Sequence, residues 1–245
     1  MLVLRTMMNI MCEAEYEMAD TSLVLIKFRI RGLLRFLSHA ETVNVFQRAC
    51  IRAGIKIRYS QGFNPRPKLS LPLPRSVGVE SDDDLLCLHI QNRQPTDNQS
   101  ESSASWLETE RLKAWLSSQL PEGCELITVS VEETKAAFRP RLATYVLAVR
   151  REYLNEKLKA RIKRLLADES IYLERRIDAK GSIRSVDVRP FLKSVEFDNE
   201  CIAVECKISS AGSIRVDEIL KLLELDAEKL AAPIRRTSVQ WQVGG

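Results

Sequence analysis

Histidine is almost absent from this chain: His39 and His89 are the only two in 245 residues. No His-Glu-x-x-His zinc helix can be built from them, and the six cysteines do not replace it. Cys12, Cys50, Cys87, Cys124, Cys201 and Cys206 are scattered, which excludes a zinc ribbon or a dense disulfide framework and fits a reducing, cytoplasmic setting. The nearest pair, Cys201 and Cys206, sits in the strand-like run Cys-Ile-Ala-Val-Glu-Cys, where a period of two sends them to opposite faces. Also missing are a phosphate-binding Gly-x-x-x-x-Gly-Lys-Ser/Thr loop, a dinucleotide fingerprint, a Gly-x-Ser-x-Gly elbow and a Cys-x3-Cys-x2-Cys cluster triplet. The sequence therefore implies no metal and no cofactor, and any demanding chemistry falls to a partner. No apolar run approaches the ~20 residues of a membrane helix, and Lys27 cuts the first one short after Ile26. No membrane partner is expected.

Charge is present but unevenly placed. The formal net charge is only +4, yet Lys27 to Arg75 holds eleven Lys/Arg against a single acid, Glu41, and Ser76 to Thr134 holds three against twelve. Such a basic block generates a local positive field suited to phosphate-bearing partners, unless the acidic block folds back onto it.

Periodicity predicts an α+β protein. Leu23 to Arg31 alternates as a strand. Ser38-His39-Ala40-Glu41 is a capping box opening a helix with a Val43, Phe46, Ala49, Cys50, Ala53 stripe and a Gly54 stop. Strands are expected at Ile55 to Tyr59, Lys68 to Leu73 and Leu85 to Ile90, then a surface loop from Asn92 to Ser105. A second box at Ser105 to Glu108 opens another helix, and Cys124 to Val131 is a strand. The order repeats, with strands at Thr144 to Arg150, Ile171 to Ile177, Val186 to Phe197, Ile202 to Ile208 and Ile234 to Trp241, and helices at Tyr153 to Ala167 and Val216 to Leu223. Two tandem ferredoxin-like β-α-β-β-α-β halves with antiparallel sheets are expected, at 22–134 and 142–245, behind a disordered leader over 1–21. Arg139-Pro140-Arg141 is taken to mark the boundary.

The residues with most to say lie in the basic block. Arg35-Phe36-Leu37-Ser38-His39 leads into the first helix, and Tyr59-Ser60-Gln61-Gly62-Phe63-Asn64-Pro65-Arg66-Pro67-Lys68 follows the next strand. A turn rich in Gly, Asn and Pro is rigid, and Tyr59 and Phe63 offer aromatic faces beside Arg66 and Lys68, a chemistry suited to bases and phosphates. The competing reading is a tight connector with Phe63 in the core and the arginines merely solvated. His39 beside Glu41 invites a proton-transfer reading, with Ser38 and Tyr59 around a small anionic substrate; the alternative is an ordinary helix start. Gly212-Ser213-Ile214-Arg215 precedes a helix, so an anion can meet Arg215 and the first amides together; turn chemistry alone also explains it.

Several blocks resemble the radical-SAM-linked domain of unknown function. They are Arg35 to His39, Gln47-Arg48-Ala49, Arg52-Ala53-Gly54, Tyr59 to Lys68, Gly78-Val79-Glu80-Ser81, Val186-Asp187-Val188-Arg189-Pro190-Phe191, Gly212 to Arg215 and Arg236-Thr237. Two departures stand out: Ala40-Glu41 in place of the family's Leu-Asp, and Val216 in place of a proline after Arg215. The resemblance implies an accessory protein for a separate radical SAM enzyme, with RNA as its substrate class. Arg35, Ser38, His39, Arg48, Tyr59, Gln61, Phe63, Asn64, Arg66, Lys68, Arg189 and Arg215 are then the expected contacts, and His39 and Glu41 the only catalytic candidates. The remaining alternatives are an enzyme in its own right, as above, and a protein-only docking scaffold.

Overall fold

The computed structural model describes residues 21–91, 101–132, 137–176, 181–197 and 200–244. The expected leader, the stretch 92–100 and the junction 133–136 lie outside them. The protein is mixed α+β and forms two compact units that interleave along the chain, with Arg29–Ser38 and Leu73–Asp84 belonging to the second.

In the first unit, β1 (Thr21–Ile30) buries Val24, Ile26 and Phe28 on its inward face. Helix α1 (His39–Arg52) packs Phe46 edge-on against Phe28, with ring centroids 4.6 Å apart. Its buried stripe is Thr42, Phe46, Ala49 and Cys50; Val43 is only half-buried, because Thr42 stands one turn before Phe46. Gly54, at φ 69°, closes the helix, and the Ile55 amide donates to the Cys50 carbonyl at 2.9 Å. Then follow β2 (Leu69–Ser70), β3 (Glu80–Gln91), α2 (Glu101–Ser117) and β4 (Cys124–Glu132). The strand order is β4-β1-β3, with β2 on β3. Helix α2 begins a turn before Ser105, since no glycine or proline opposes it there. Likewise β3 begins five residues before Leu85, running through three consecutive aspartates.

The second unit carries β5 (Ala137–Ala148), α3 (Glu156–Ala167), β6 (Tyr172–Arg176), β7 (Ile183–Asp187), β8 (Leu192–Phe197), β9 (Cys201–Lys207), α4 (Val216–Leu223) and β10 (Arg235–Gly244). The order β10-β5-β9-β8 is antiparallel throughout. Pro140 does not break β5. It pairs with Trp241 where the register shifts after Gln240, an irregularity that accommodates a residue with no amide hydrogen. The expected strand Val186 to Phe197 is split instead at Pro190 by a short 3-10 turn, Arg189–Phe191. Helix α3 starts at Glu156, capped by the Asn155 side chain accepting from the Leu158 amide at 3.1 Å. Its Leu158 and Ile162 enter a core with Leu147, Ile202, Val204 and Ile219.

A buried ionic network ties the irregular segments of this unit. Arg236, 1% exposed, donates to Asp84 at 2.7 Å and to the carbonyls of Pro74 and Leu73 at 3.1 and 3.3 Å. Arg75 donates to the carbonyls of Arg35 at 2.7 Å, Val79 at 2.6 Å and Leu34 at 3.2 Å, and its Nε stands 3.8 Å from the other Asp84 oxygen. The Ser81 hydroxyl also donates to Asp84. Burial works against the Arg236 charge, but Asp84 and Tyr145 more than offset it, holding the guanidinium above its ordinary range. Removing Asp84 strands two buried guanidinium groups. We expect Asp84→Ala to lower stability by about 3–5 kcal/mol, read as a urea-midpoint shift at unchanged slope. Glu156→Ala, at an exposed i,i+3 pair, changes it by only about 0.5 kcal/mol. Equal shifts for the two variants would remove the network from its structural role.

Candidate functional site

The segment after α1 folds as a hairpin docked on β3. The Arg58 amide donates to the His89 carbonyl (2.8 Å), the His89 amide to the Lys68 carbonyl (2.9 Å), and the Lys68 amide to the Arg58 carbonyl (2.7 Å). Farther out, the Ser60 amide donates to the Arg66 carbonyl at 2.8 Å, and the Ser60 hydroxyl accepts from the Arg66 amide at 2.9 Å. Tyr59 bridges Pro67. The tip is Gln61 to Pro65, with Gly62 at φ 127°, a conformation that side chains other than glycine rarely adopt.

This geometry decides between the two sequence readings of Phe63. Its relative exposure is 107%, so it is not core. Tyr59, Gln61, Asn64, Arg66 and Lys68 are exposed with it. Lys56, Arg66 and Lys68 form no ion pair among the described residues, and Arg48 stands equally exposed on α1. The positive block as a whole is less free. Arg29 and Arg31 are paired with Asp82, Arg31 reaches Glu80 as well, and Arg75 is turned inward to Asp84. The acidic block thus pairs with one part of the basic block and leaves Lys56, Arg66 and Lys68 without an ion pair among the described residues.

His39 and Glu41 are both exposed on the first turn of α1. No arrangement there draws them into a shielded pocket, which weakens the proton-transfer reading. Arg35 and Ser38 belong to the second unit, where Arg35 donates to the Gly32 carbonyl at 2.8 Å and lies 4.3 Å over the Phe36 ring.

Of two further expected contacts, Arg189 is engaged by the fold through its guanidinium, whereas Arg215 is exposed and is engaged through its backbone amide. The Arg189 guanidinium donates to the carbonyls of Asp168 (2.9 Å), Leu166 (2.8 Å) and Leu192 (2.8 Å), closing the C-terminal end of α3 and leaving little of itself for a phosphate. At the start of α4, the anion position is filled from within. Glu218 accepts from the Arg215 amide at 2.8 Å and from Arg175 at 2.6 and 2.7 Å. Burial opposes the Glu218 charge, yet the Arg175 and Arg215 contacts hold its carboxyl below the usual range. Gly212 turns tightly against Ser209 at 3.0 Å, so turn chemistry accounts for the Gly-Ser pair.

Sequence reasoning missed Arg75, Asp84, Arg175 and Glu218. No local motif marks them, and only buried pairing within the second unit gives them a role. Among the described residues no group of three or more His, Cys, Asp and Glu is disposed to hold a metal, and no helix is long and apolar enough to cross a membrane. Burial pushes the thiols of Cys50 and Cys206 up to about 12 and that of Cys87 to about 11, far from a nucleophile's range.

A mixed α+β protein with an exposed basic hairpin is the class these observations define. From residue 24 to residue 221 the chain matches the model of a family described as an uncharacterised protein conserved in bacteria (DUF2344), and it belongs to that family. No curated protein matches it.

The hairpin base also carries a titration. Burial lowers the pKa of His89 below its ordinary 6.5, and the positive charges of Lys68 and Arg58 lower it further. The unfolded chain therefore takes up this proton first. Stability is fully present above that ordinary pKa and is lost as the pH falls toward the folded-state value. We expect His89→Gln to lose less of its denaturant midpoint than wild type between about pH 7.5 and pH 5.5. Identical acid sensitivity of the two proteins would show that His89 is solvated like a free imidazole.

Proposed function

We propose that this protein is an accessory protein that binds RNA through the hairpin Tyr59 to Lys68 and delivers it to a separate radical SAM enzyme. The observation that carries this reading is the hairpin itself: a hydrogen-bonded stem with unpaired cations and a fully exposed aromatic at its tip. Exposed Arg and Lys beside aromatic rings match phosphate and base chemistry, and Arg66 and Lys68 form no ion pair among the described residues. The radical SAM partner rests on the motif resemblance. A surface suited to a protein partner exists in the second unit, where Leu33 (82% exposed), Phe36 and Val77 are presented on two segments joined by the Gly78 amide donating to the Arg35 carbonyl at 2.8 Å. The same reading takes the chain as two ferredoxin-like halves, supported by β4-β1-β3-β2 and β10-β5-β9-β8, which follow one pattern of neighbours. An independent enzyme at Ser38, His39 and Glu41 is the weaker alternative, because His39 and Glu41 face solvent.

The test is a salt titration of RNA binding. Total cellular RNA and a sulfated polysaccharide of matched charge are titrated against wild type and an Arg66→Ala/Lys68→Ala variant. The variant is expected to lose about two units of the log K against log salt slope, at roughly 0.9 per contact on duplex and less on single strands. An unchanged slope removes the hairpin as the contact site, and equal weak binding of both polymers removes RNA as the ligand. The docking surface is checked separately. Leu33→Asp/Val77→Asp is expected to abolish co-purification with the co-expressed radical SAM protein while leaving the RNA isotherm unchanged.

A further inference from the structure

We infer that the hairpin tip selects unpaired RNA, with Phe63 serving as a stacking platform for one base while Arg66 and Lys68 hold the adjoining phosphates. This rests on the RNA reading of the hairpin and goes beyond it by specifying the form of RNA bound and the residue that selects it.

Burying a phenylalanine is favourable by about 1.5–3 kcal/mol, so a fully exposed one forgoes that gain within the folded chain. Phe63 forgoes it because its backbone leaves no choice. Gly62 at φ 127° turns the chain at the tip, Pro65 fixes the next bend, and the Ser60 and Arg66 amides lock the stem beneath. The ring is held out on a short five-residue tip, so little conformational freedom remains to be lost when it is covered.

A π-face of this kind has one obvious complement beside free cations: a nucleobase carried on a phosphate chain. In a duplex the base faces are covered by their stacking neighbours, and a side chain can reach only edges and backbone. A ring at the tip therefore gains nothing from duplex, whereas Arg66 and Lys68 gain from either form. Arg66 follows Phe63 by three residues, at most about 11 Å along the chain, so stack and phosphate contact fall within the same short stretch of strand. Tyr59, exposed at the stem, offers a second ring for a neighbouring base.

The experiment compares an unstructured fluorescein-labelled RNA oligonucleotide with the same oligonucleotide annealed to its complement, using the full chain. Wild type is expected to bind the single strand more tightly. Phe63→Ala should weaken single-strand binding about 5- to 100-fold, leave duplex binding within about twofold, and keep the salt slope of both. Phe63→Trp should preserve the preference. Because the side chain is fully exposed, unfolding is not expected, and an unchanged thermal midpoint verifies this. If Phe63→Ala matches wild type on the single strand, or loses both forms equally, the stacking assignment is overturned while the RNA reading stands. If wild type binds neither form, the RNA reading itself fails and takes this inference with it.

Discussion

Asp84 sits between two arginines in the interior of the second unit, and much of that unit's irregular backbone depends on the arrangement. A carboxylate or a guanidinium alone in such a place is prohibitively costly, and a pair is tolerable only when the remaining donors are satisfied. Here most of them are satisfied by backbone, though the Nε of each arginine makes no hydrogen bond. Arg236 takes the carbonyls of Leu73 and Pro74, and Arg75 takes those of Leu34, Arg35, Leu37 and Val79. These carbonyls lie in turns and a short 3-10 segment, where no ladder partner exists. Two side chains thus stand in for secondary structure, and Asp84 is the charge that allows them to be there. The arrangement also explains how Leu33, Phe36 and Val77 stay exposed on ordered backbone. Their segments are pinned from beneath by Arg75, so the apolar side chains have no freedom to collapse inward.

The same device recurs at α4. A helix start with an acid three residues in is a common capping pattern, but Glu218 also receives both arms of Arg175, which in turn donates to the Ser213 carbonyl at 2.7 Å. One carboxylate closes the helix, neutralises a half-buried guanidinium and fixes the turn before it. An external anion at the start of α4 would have to displace a bidentate internal pair.

What could be read from the chain was local. Gly54 as the stop of α1, the alternation of β1 and the opposed faces of Cys201 and Cys206 follow from periodicity within a few residues, and β9 indeed buries Cys206 on the face opposite Cys201. Long-range pairing was not legible. The expected strand starts only at Leu85, because the partners of Asp82 and Asp84, among them Arg29, Arg31 and Arg236, stand about 50 to 150 residues away in sequence. Pro140 read as a boundary for a related reason: its missing amide matters only if the facing strand needs it, and the register shift at Trp241 means that it does not. Thr42 in place of Val43 on the inner face of α1 is a smaller miss, caused by reading the stripe from residue type before its phase relative to Phe46 was fixed.

The charge asymmetry of the first half shows most clearly why composition alone misleads about a site. The eleven cations from Lys27 to Arg75 look like one patch. The fold sorts them: Arg29, Arg31 and Arg75 find carboxylates, and Lys56, Arg66 and Lys68 form no ion pair among the described residues. The reason is geometric. A strand interior brings cross-strand neighbours within reach of a side chain, so Arg29 and Arg31 are close to Asp82 whether or not function requires it. A hairpin tip has neighbours only on its own stem, and its stem residues are Tyr, Ser, Arg, Pro and Lys, with no acid among them. Arg66 and Lys68 form no ion pair among the described residues, and their pull on a polyanion is diminished by salt. Exposed cations without an ion pair among the described residues therefore stand beside a fully exposed aromatic ring on one short element, and this conjunction, more than the net charge, distinguishes the hairpin from an ordinary solvated surface.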